Sequence, residues 1–469
     1  MKAVVRVFLK KNIFFLLTPA AFFALSLLSF ENLIAADAER TGAQVGQLIF
    51  HADSFPAGVD SRSVPGWDVW SQRAETRPFF FTTELPSLGK PGSLGISGAS
   101  NNSAHGCWQK VVSGIKPGAW YRFEASFQTE SVPYPRRQVL SRLEWLDPDS
   151  KRTSQPEYVQ EVLAPGHWQK NAGTFQAPEK AHSVRIELFL SYCPQGRVWW
   201  DDISLAQVSA PPKRMARVAT VNCYPRNKAN SAESVAEFLP LMDEAGRNGC
   251  DIVCLGEGIN LVGVSGVRYP DIAEPIPGPT TKTLGEMARK HKMYIVAALG
   301  ERENQAIYNT AVLIDREGRV AGKYHKAYLP REEIEAGCTP GNSYPVFDTD
   351  FGRIGMMICW DLQYVDPARA LAVKGAEIIF LPIWGGNPVL AKARAIENQI
   401  YLVSSAYNSP PTAVYAPTGE MLIEVKERPS VKYVDIDLNY KYKDNWLGYM
   451  KDRFPRERRA DIVEPELER

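Results

Sequence analysis

Residues 353–364 read RIGMMICWDLQY, and this stretch decides the fold class of the second half of the chain. It predicts a strand over residues 353–359, in which an apolar run from Ile354 to Ile358 ends on Cys359. A predicted helix at 367–374 and a second short apolar strand at 377–381 follow. Apolar strands that alternate with helices are typical of sheets covered on both faces. The stretch therefore predicts an α/β domain and places Cys359 at the end of a strand.

The same alternation of strands and helices continues on the N-terminal side of this stretch. Residues 251–255 (DIVCL) form a short apolar run, and residues 231–247 place apolar side chains on one helical face. Ser231 is expected to cap that helix, and Gly249 follows its end. The other predicted elements are a strand at 216–223, a helix at 282–290, a strand at 294–299 and a hairpin at 310–323 that turns at Glu317-Gly318.

The first half of the chain has a different pattern, that of antiparallel strands. Residues 121–129 (YRFEASFQT) and 184–190 (VRIELFL) alternate apolar and polar side chains, as half-buried strands do. No convincing helical period lies between them. We therefore expect two domains: an all-β sandwich over residues 46–208 and an α/β domain over 216–469, joined by a Pro-rich linker over 209–215.

The β-rich half could also bind a ligand. Residues 196–205 (GRVWWDDISL) resemble the last strand of jelly-roll domains that bind carbohydrates, and eight of the eleven tryptophans lie in this half. Exposed aromatic rings can stack on sugars, whereas buried rings fill the core of a sandwich. The core role is the commoner one. A carbohydrate remains a candidate ligand of this jelly-roll-like domain.

The first 38 residues have the composition of a targeting segment. Lys2, Arg6 and Lys10 precede an uncharged stretch at 13–30, and small residues follow it. This order is that of a signal peptide, although the stretch is also long enough for a membrane anchor. We expect cleavage and an exported protein, secreted or periplasmic. Without cleavage, residues 1–38 would anchor the protein in a membrane.

Charge and cysteine content exclude several classes of function. The formal net charge is +1, so no nucleic acid is expected as a partner. None of the seven cysteines has CxxC spacing and the six histidines are scattered, so no metal site is predicted. In an exported protein Cys107 and Cys193 could pair, although their spacing alone does not show that they come within reach.

Three reactive side chains lie where predicted strands end, and chemistry concentrates at such places in α/β folds. Glu257 follows the strand at 251–255, Lys326 follows the predicted hairpin, and Cys359 ends its own strand. Taken alone, each has an ordinary explanation: a solvated glutamate, a surface lysine and a buried, inert cysteine such as Cys254. Their order and their flanking residues distinguish the two interpretations.

With their flanks, these residues resemble the Glu-Lys-Cys triad of the carbon–nitrogen hydrolase (nitrilase) superfamily. The glutamate strand of that family is similar to DIVCLGE (251–257), its lysine block to GKYHKAYL (322–329) and its cysteine block to GMMICWD (355–361). The resemblance covers residues 217 to 437. It implies a four-layer α-β-β-α sandwich, a homo-oligomer and no cofactor.

The resemblance also implies a role for each residue. Cys359 would attack the substrate carbonyl, because a thiol becomes a strong nucleophile once a base removes its proton. Glu257 would be that base. Lys326 and the backbone N–H of Trp360 would stabilise the oxyanion of the tetrahedral intermediate. The product of this attack is a thioester acyl-enzyme, which water releases.

Two further positions refine this assignment. Glu333, seven residues after Lys326, matches the accessory acid of the family, and Glu332 is a competitor for that role. Asp361, two residues after the cysteine, is similar to amidases and N-carbamoyl-amine amidases, whereas nitrile-cleaving members have glutamate there. The expected substrate is a small-molecule amide or N-carbamoyl amine.

Two other functions stay open. An amine could capture the same acyl-enzyme, which would make the protein an N-acyltransferase. Alternatively, an exported binding protein could use the hydrolase domain as a non-catalytic scaffold. The presence of all three triad residues favours an enzyme, because a decayed enzyme usually loses one of them.

Overall fold

The structure is a computed structural model that describes residues 46–58, 64–163, 166–459 and 462. The predicted signal peptide or membrane anchor at residues 1–38 lies outside the described residues. In the part of the chain that is described, no helix has the length and apolar character needed to cross a membrane.

The N-terminal half consists of two antiparallel sheets with a shared core. The seven-stranded sheet has the order Phe79–Thr83, Ser93–Ser97, Arg197–Val208, Trp120–Glu130, Gln169–Gln176, Glu161–Leu163, with Gln47–Ala52 also paired to Arg197–Val208. The five-stranded sheet has the order Asp68–Trp70, His105–Ser113, Ser183–Ser191, Val139–Leu146, Glu157–Tyr158. Two short helical turns, Ala74–Thr76 and Pro135–Gln138, complete this half.

The alternation predicted at 121–129 is confirmed in the strand Trp120–Glu130. Its apolar side chains point into the core between the sheets, and Tyr121 and Phe123 have no exposed surface. Three tryptophans are also fully buried there: Trp108, Trp145 and Trp200. The aromatic content of this half therefore serves mainly to fill the core, and the jelly-roll assignment stays a prediction.

The C-terminal half contains two six-stranded mixed sheets. The first has the order Val320–His325, Ala306–Ile314, Tyr294–Glu303, Ile252–Cys254, Met215–Asn222, Ser430–Asp437. The second has the order Val346–Asp348, Arg353–Met356, Ile378–Ile383, Tyr401–Ala406, Ala413–Tyr415, Met421–Glu424. The strands at the centre of each sheet are parallel and apolar, as expected of strands covered on both faces.

The two sheets pack face to face between two layers of helices. Their common core includes Val218 and Ile252 from the first sheet and Ile354 and Phe380 from the second. The first sheet is covered by the helices Ser231–Ala236, Leu239–Arg247 and Pro279–His291, and the second by Asp366–Val373 and Pro388–Asn398. This is the α-β-β-α sandwich that the sequence predicted. The remaining helices are Tyr269–Ile272, Arg331–Glu335, the 3-10 helix Cys359–Gln363 and Met450–Glu457.

The strand predicted to end on Cys359 ends earlier. It spans Arg353–Met356, and Cys359 is the first residue of a 3-10 helix. The chain turns because Cys359 has a φ of +44°, outside the range of a strand. The backbone therefore leaves the sheet before it reaches Cys359.

The helix predicted at 231–247 is two helices, Ser231–Ala236 and Leu239–Arg247. Pro240 explains the break, because its ring would clash with the carbonyl group of residue 236 in a continuous helix. The predicted cap at Ser231 is also wrong by one residue. The Asn230 side chain accepts the hydrogen bond, 3.0 Å long, from the N–H of Glu233.

The other predicted elements occur with small shifts of their ends. The helix and strand at 282–290 and 294–299 are extended to Pro279–His291 and Tyr294–Glu303. The hairpin turns at Gly318, where φ is +78°. All seven cysteines are free thiols, so the pair between Cys107 and Cys193 is not formed.

Residues 209–214 have no regular secondary structure, but the C-terminal segment returns to the N-terminal half. After the short hairpin Lys443–Asp444 and Gly448–Tyr449, the helix Met450–Glu457 packs beside the five-stranded sheet. The buried Arg456 guanidinium donates hydrogen bonds to the carbonyl groups of Arg136 and Val159. The two halves are therefore in direct contact.

Candidate active site

Cys359 lies at a strained turn between a strand and a 3-10 helix. Ile358 is still extended, and Cys359 then adopts a left-handed conformation with a φ of +44°. A non-glycine residue in this region carries strain, which surrounding contacts must hold. Such residues often occur at active sites. The positive φ of Cys359 is therefore evidence for a functional role that the sequence alone does not provide.

The Cys359 thiol is almost buried, with 9% of the residue exposed. Its Sγ donates a weak hydrogen bond, 3.6 Å long, to the carbonyl oxygen of Gly385. Burial, followed by the charge of Glu257, raises the pKa of this thiol to about 12. At neutral pH Cys359 is therefore protonated, and a base must accept its proton during any attack.

Glu257 is buried and fully engaged through both carboxylate oxygens. Its Oε1 accepts hydrogen bonds from Lys326 Nζ at 3.0 Å and from Asn309 Nδ2 at 2.8 Å. Its Oε2 accepts the N–H of Trp384 at 2.8 Å. Because Trp384 precedes Gly385, which accepts from the thiol, one short loop contacts both the acid and the cysteine. This loop therefore lies beside both Glu257 and Cys359.

The glycines on each side of Glu257 are needed for this placement. A Cβ on Gly256 would lie 2.5 Å from the hydroxyl oxygen of Tyr407. That hydroxyl donates a hydrogen bond of 2.7 Å to the carbonyl group of Glu257. Gly258 has a φ of +59°, which favours glycine. The loop can therefore turn sharply and still lie against Tyr407.

Lys326 has no exposed surface, which rules out the surface-lysine explanation. Its ammonium group donates hydrogen bonds to Glu257 at 3.0 Å and to Glu333 at 2.6 Å. Burial by itself lowers the pKa of this lysine, but the charges of Glu257, Cys359 and Glu333 outweigh it and raise the pKa above its ordinary value. The lysine is therefore charged at neutral pH.

The structure distinguishes the two candidates for the accessory acid. Both belong to the short helix Arg331–Glu335. Glu333 points inward to Lys326, whereas the Glu332 side chain is 72% exposed and contacts Arg331. Burial, with the nearby charge of Glu257, raises the pKa of Glu333 despite the opposing effect of Lys326. The acid beside the lysine is therefore Glu333.

Three groups at this site were not identified from the sequence. The Asn309 amide donates to Glu257 and, at 3.5 Å, to Glu333, so it bridges the two acids. Its signal in the sequence is a polar residue within an apolar strand, Ala306–Ile314, where it has no exposed surface. The backbone N–H of Trp384 and the hydroxyl group of Tyr407 have no such signal in the sequence. A backbone N–H is the same in almost every residue, and the Tyr407 contact is made over a sequence separation of 150 residues.

Trp360 is 37% exposed. Because it directly follows Cys359 in the chain, its backbone N–H is close to the thiol. Among the described residues, no group of three or more His, Cys, Asp or Glu side chains could hold a metal ion. The chemistry that this arrangement offers is that of a thiol beside a buried acid and a buried ammonium group.

Residues 217–443 match the family model "Carbon-nitrogen hydrolase". The omega-amidase NIT2 of Bos taurus is 27% identical over 266 residues, which cover 51% of this chain and 94% of that protein. The omega-amidase NIT2-A of Xenopus laevis is 28% identical over 257 residues, which cover 49% of this chain and 90% of that protein. This chain thus contains a carbon–nitrogen hydrolase domain of the nitrilase superfamily. The protein is a carbon–nitrogen hydrolase of the amidase type.

Solved structures of the superfamily are also similar to this chain. An amidase from Nesterenkonia AN1 aligns over 53% of this chain and 95% of its own, with a TM-score of 0.44 and 21% identity. Nit3 of Saccharomyces cerevisiae aligns over 48% of this chain and 90% of its own, with a TM-score of 0.43 and 22% identity.

Proposed function

We propose that this amidase-type hydrolase is an exported enzyme that cleaves an amide or an N-carbamoyl amine through a thioester on Cys359. The observation that carries the proposal is the meeting of Glu257, Lys326 and Cys359 in one buried cluster. These residues come from three separate strand ends, and surface roles would not bring them together. Export rests on the sequence of residues 1–38 alone.

In the first half-reaction, Glu257 removes the thiol proton as Cys359 Sγ attacks the carbonyl carbon. A base is needed because burial, followed by the charge of Glu257, raises the pKa of the thiol. The carbonyl oxygen becomes an oxyanion, which the Lys326 ammonium group and the backbone N–H of Trp360 stabilise. The C–N bond then breaks, and the leaving nitrogen takes the proton from Glu257 and departs as ammonia or an amine.

In the second half-reaction, water attacks the thioester carbonyl. Glu257, ionised again, accepts a proton from that water, and the second tetrahedral intermediate collapses with cleavage of the S–C bond. The thiolate recovers the proton, and the acid is released. Glu333 accepts hydrogen bonds from Lys326 and Asn309, so we assign it the orientation of the ammonium group and not proton transfer to the substrate.

The test is ammonia release by the purified protein from amides, N-carbamoyl amines and nitriles. We expect turnover of an amide or an N-carbamoyl amine and none of nitriles. Cys359→Ala should abolish turnover, whereas Cys250→Ala, a buried cysteine outside the cluster, should retain it. Intact-mass analysis should find the acyl adduct on Cys359. Turnover by Cys359→Ala would contradict the proposal.

The same assay distinguishes hydrolysis from acyl transfer. With a primary amine added, a hydrolase still forms the free acid, whereas an N-acyltransferase forms the N-substituted amide. We expect the acid to be the main product. A predominance of the amide at millimolar amine would favour the transferase.

We also propose that the N-terminal domain binds a saccharide on the outer face of its five-stranded sheet. Trp70 and Tyr192 are 39% and 48% exposed there, and the His105 ring stacks on Tyr192 with centroids 5.1 Å apart. Exposed aromatic rings of this kind can stack on the ring of a sugar. Retention on polysaccharide resins that is lost in Trp70→Ala and Tyr192→Ala would support this role. Equal retention of wild type and variants would contradict it.

A further inference from the structure

We propose that Asp361 is a positioning residue that fixes the nucleophile Cys359 relative to the oxyanion-stabilising Lys326. It does so by joining the turn that carries the cysteine to the loop that carries the lysine. The proposal rests on the function proposed above. It adds a residue that touches neither the reacting thiol nor the ammonium group.

Asp361 is tied to the cysteine turn through the residue before the nucleophile. Its side chain has no exposed surface. Its Oδ2 accepts the backbone N–H of Ile358 at 2.8 Å. This bond closes the turn at the point where the strand has ended, so it holds the backbone on the N-terminal side of the strained Cys359.

The same carboxylate is tied to the lysine loop on both sides of Lys326. On one side the hydroxyl group of Tyr324 donates to Oδ2 at 2.8 Å. On the other side the backbone N–H of Tyr328 donates to Oδ1 at 2.9 Å. The Tyr324 hydroxyl group also accepts the N–H of Ala327 at 3.1 Å, which closes the loop around the lysine. One buried group therefore holds both catalytic segments.

Only a carboxylate of this length satisfies these contacts. Three donors converge on Asp361, two on one oxygen and one on the other, and an ionised carboxyl group accepts on both oxygens. An asparagine would turn an N–H group toward a donor on one side. A glutamate would have to place one more methylene in a site that is fully buried. A change at residue 361 therefore shifts the cysteine relative to the lysine.

A shift of Cys359 relative to Lys326 should lower the rate of the reaction, because catalysis depends on the distance between these two side chains. A misplacement of about 1 Å can cost on the order of 10² in rate. Substrate binding depends less on this separation, since Asp361 is enclosed and does not face the site. A purely structural role would instead lower the melting temperature and leave kcat per folded molecule unchanged.

The experiment compares Asp361→Asn, Tyr324→Phe, the double variant and a matched control, Asp366→Asn. Asp366 lies five residues further on and accepts the Tyr328 hydroxyl group at 2.9 Å, without contact to Cys359 or Lys326. For each protein, kcat, KM and the rate of Cys359 alkylation by iodoacetamide are measured, with folded protein quantified by circular dichroism.

We expect kcat to fall by about 10²-fold in Asp361→Asn and by at least about tenfold in Tyr324→Phe, which loses one bond to a charged group. KM should change by less than about threefold, because the loss is confined to the transition state. Cys359 alkylation should slow in both variants. The double variant should be no slower than Asp361→Asn, because both changes break one link. Asp366→Asn should keep the wild-type kcat.

The outcome that overturns the proposal is a kcat within about threefold of wild type in the folded Asp361→Asn and Tyr324→Phe proteins. If Asp361→Asn does not fold, Tyr324→Phe, which keeps the buried ring, decides by the same criterion. An inactive Cys359→Ala beside fully active Asp361 and Tyr324 variants would overturn the positioning role alone. An active Cys359→Ala would overturn the proposed function itself.

Discussion

The ammonium group of Lys326 lies 3.0 Å from the carboxylate of Glu257, and the two side chains are 0% and 2% exposed. A buried ion pair is weak grounds for stability, because the loss of hydration offsets the attraction between the charges. Here a second acid, Glu333, contacts the same ammonium group. Burial, followed by the charge of Glu257, raises the pKa of the neighbouring Cys359 thiol, so Cys359 needs a base to become a nucleophile.

The proposed oxyanion role of Lys326 predicts that its shape matters as much as its charge. Lys326→Arg retains the charge but replaces a compact ammonium with a planar fork at a fully buried position. Both Lys326→Arg and Lys326→Ala should lose on the order of 10²–10³ in kcat. Lys323→Arg, which changes a partly exposed lysine paired with Glu301, is the control and should stay active. Near-normal kcat in Lys326→Arg would contradict the role.

The two acids should differ in their importance. Glu257→Gln keeps the size of the side chain but cannot accept a proton, so kcat should fall by about 10²–10⁴. Glu333→Gln removes only the support of Lys326 and should lose less than Glu257→Gln. Steady-state kinetics at one pH measures both. Wild-type activity in Glu257→Gln would refute the assignment of the base.

The raised pKa of Cys359 predicts how its reactivity depends on pH. Because the pKa is raised to about 12 by burial and by the charge of Glu257, the thiolate fraction and the iodoacetamide rate should keep rising above pH 9. Glu257→Gln removes one of these causes and should speed alkylation at pH 9 while it slows turnover. Mass mapping should find no adduct on Cys254, which has no exposed surface. Alkylation that reaches a plateau near pH 7 would contradict the structure.

The contact between the halves predicts a stability effect far from the active site. Arg456 is 2% exposed and donates hydrogen bonds to three backbone carbonyl groups of the N-terminal half. Arg456→Ala leaves these acceptors buried and should cost about 2–4 kcal/mol of unfolding free energy. Arg453 lies in the same helix and pairs with the exposed Glu457, so Arg453→Ala should cost less than about 1 kcal/mol. Urea unfolding of both variants measures the difference, and equal stabilities would refute it.

Whether the C-terminal half folds by itself can be tested with a separate fragment. Residues 216–469 contain both six-stranded sheets and their cores, so we predict that they fold and hydrolyse substrate without the sandwich. The helix Met450–Glu457 would lose its partner and should exchange its amide hydrogens faster than in the full chain. An insoluble or inactive fragment would make the sandwich part of the catalytic unit.

Three features could be predicted from the amino-acid sequence: the α/β class of the second half, the strands of the first half and the three residues of the candidate triad. Periodicity and apolar runs identify strands and helices because burial on one or both faces dictates which positions must be apolar. The blocks around Glu257, Lys326 and Cys359 are short and local, so their spacing can be read along the chain. The break at Pro240 could also have been predicted, since proline has a fixed local effect.

How these parts meet could not be predicted without the three-dimensional fold. Asp361 accepts the N–H of Ile358, directly before the left-handed Cys359, and also the N–H of Tyr328, which is 33 residues away in the sequence. The bond from the N–H of Trp384 to Glu257 spans a sequence separation of 127 residues, and that from Arg456 to Arg136 one of 320. Backbone donors have no signature in a sequence, because every residue except proline carries the same N–H. Their partners are set by the packing of the two sheets.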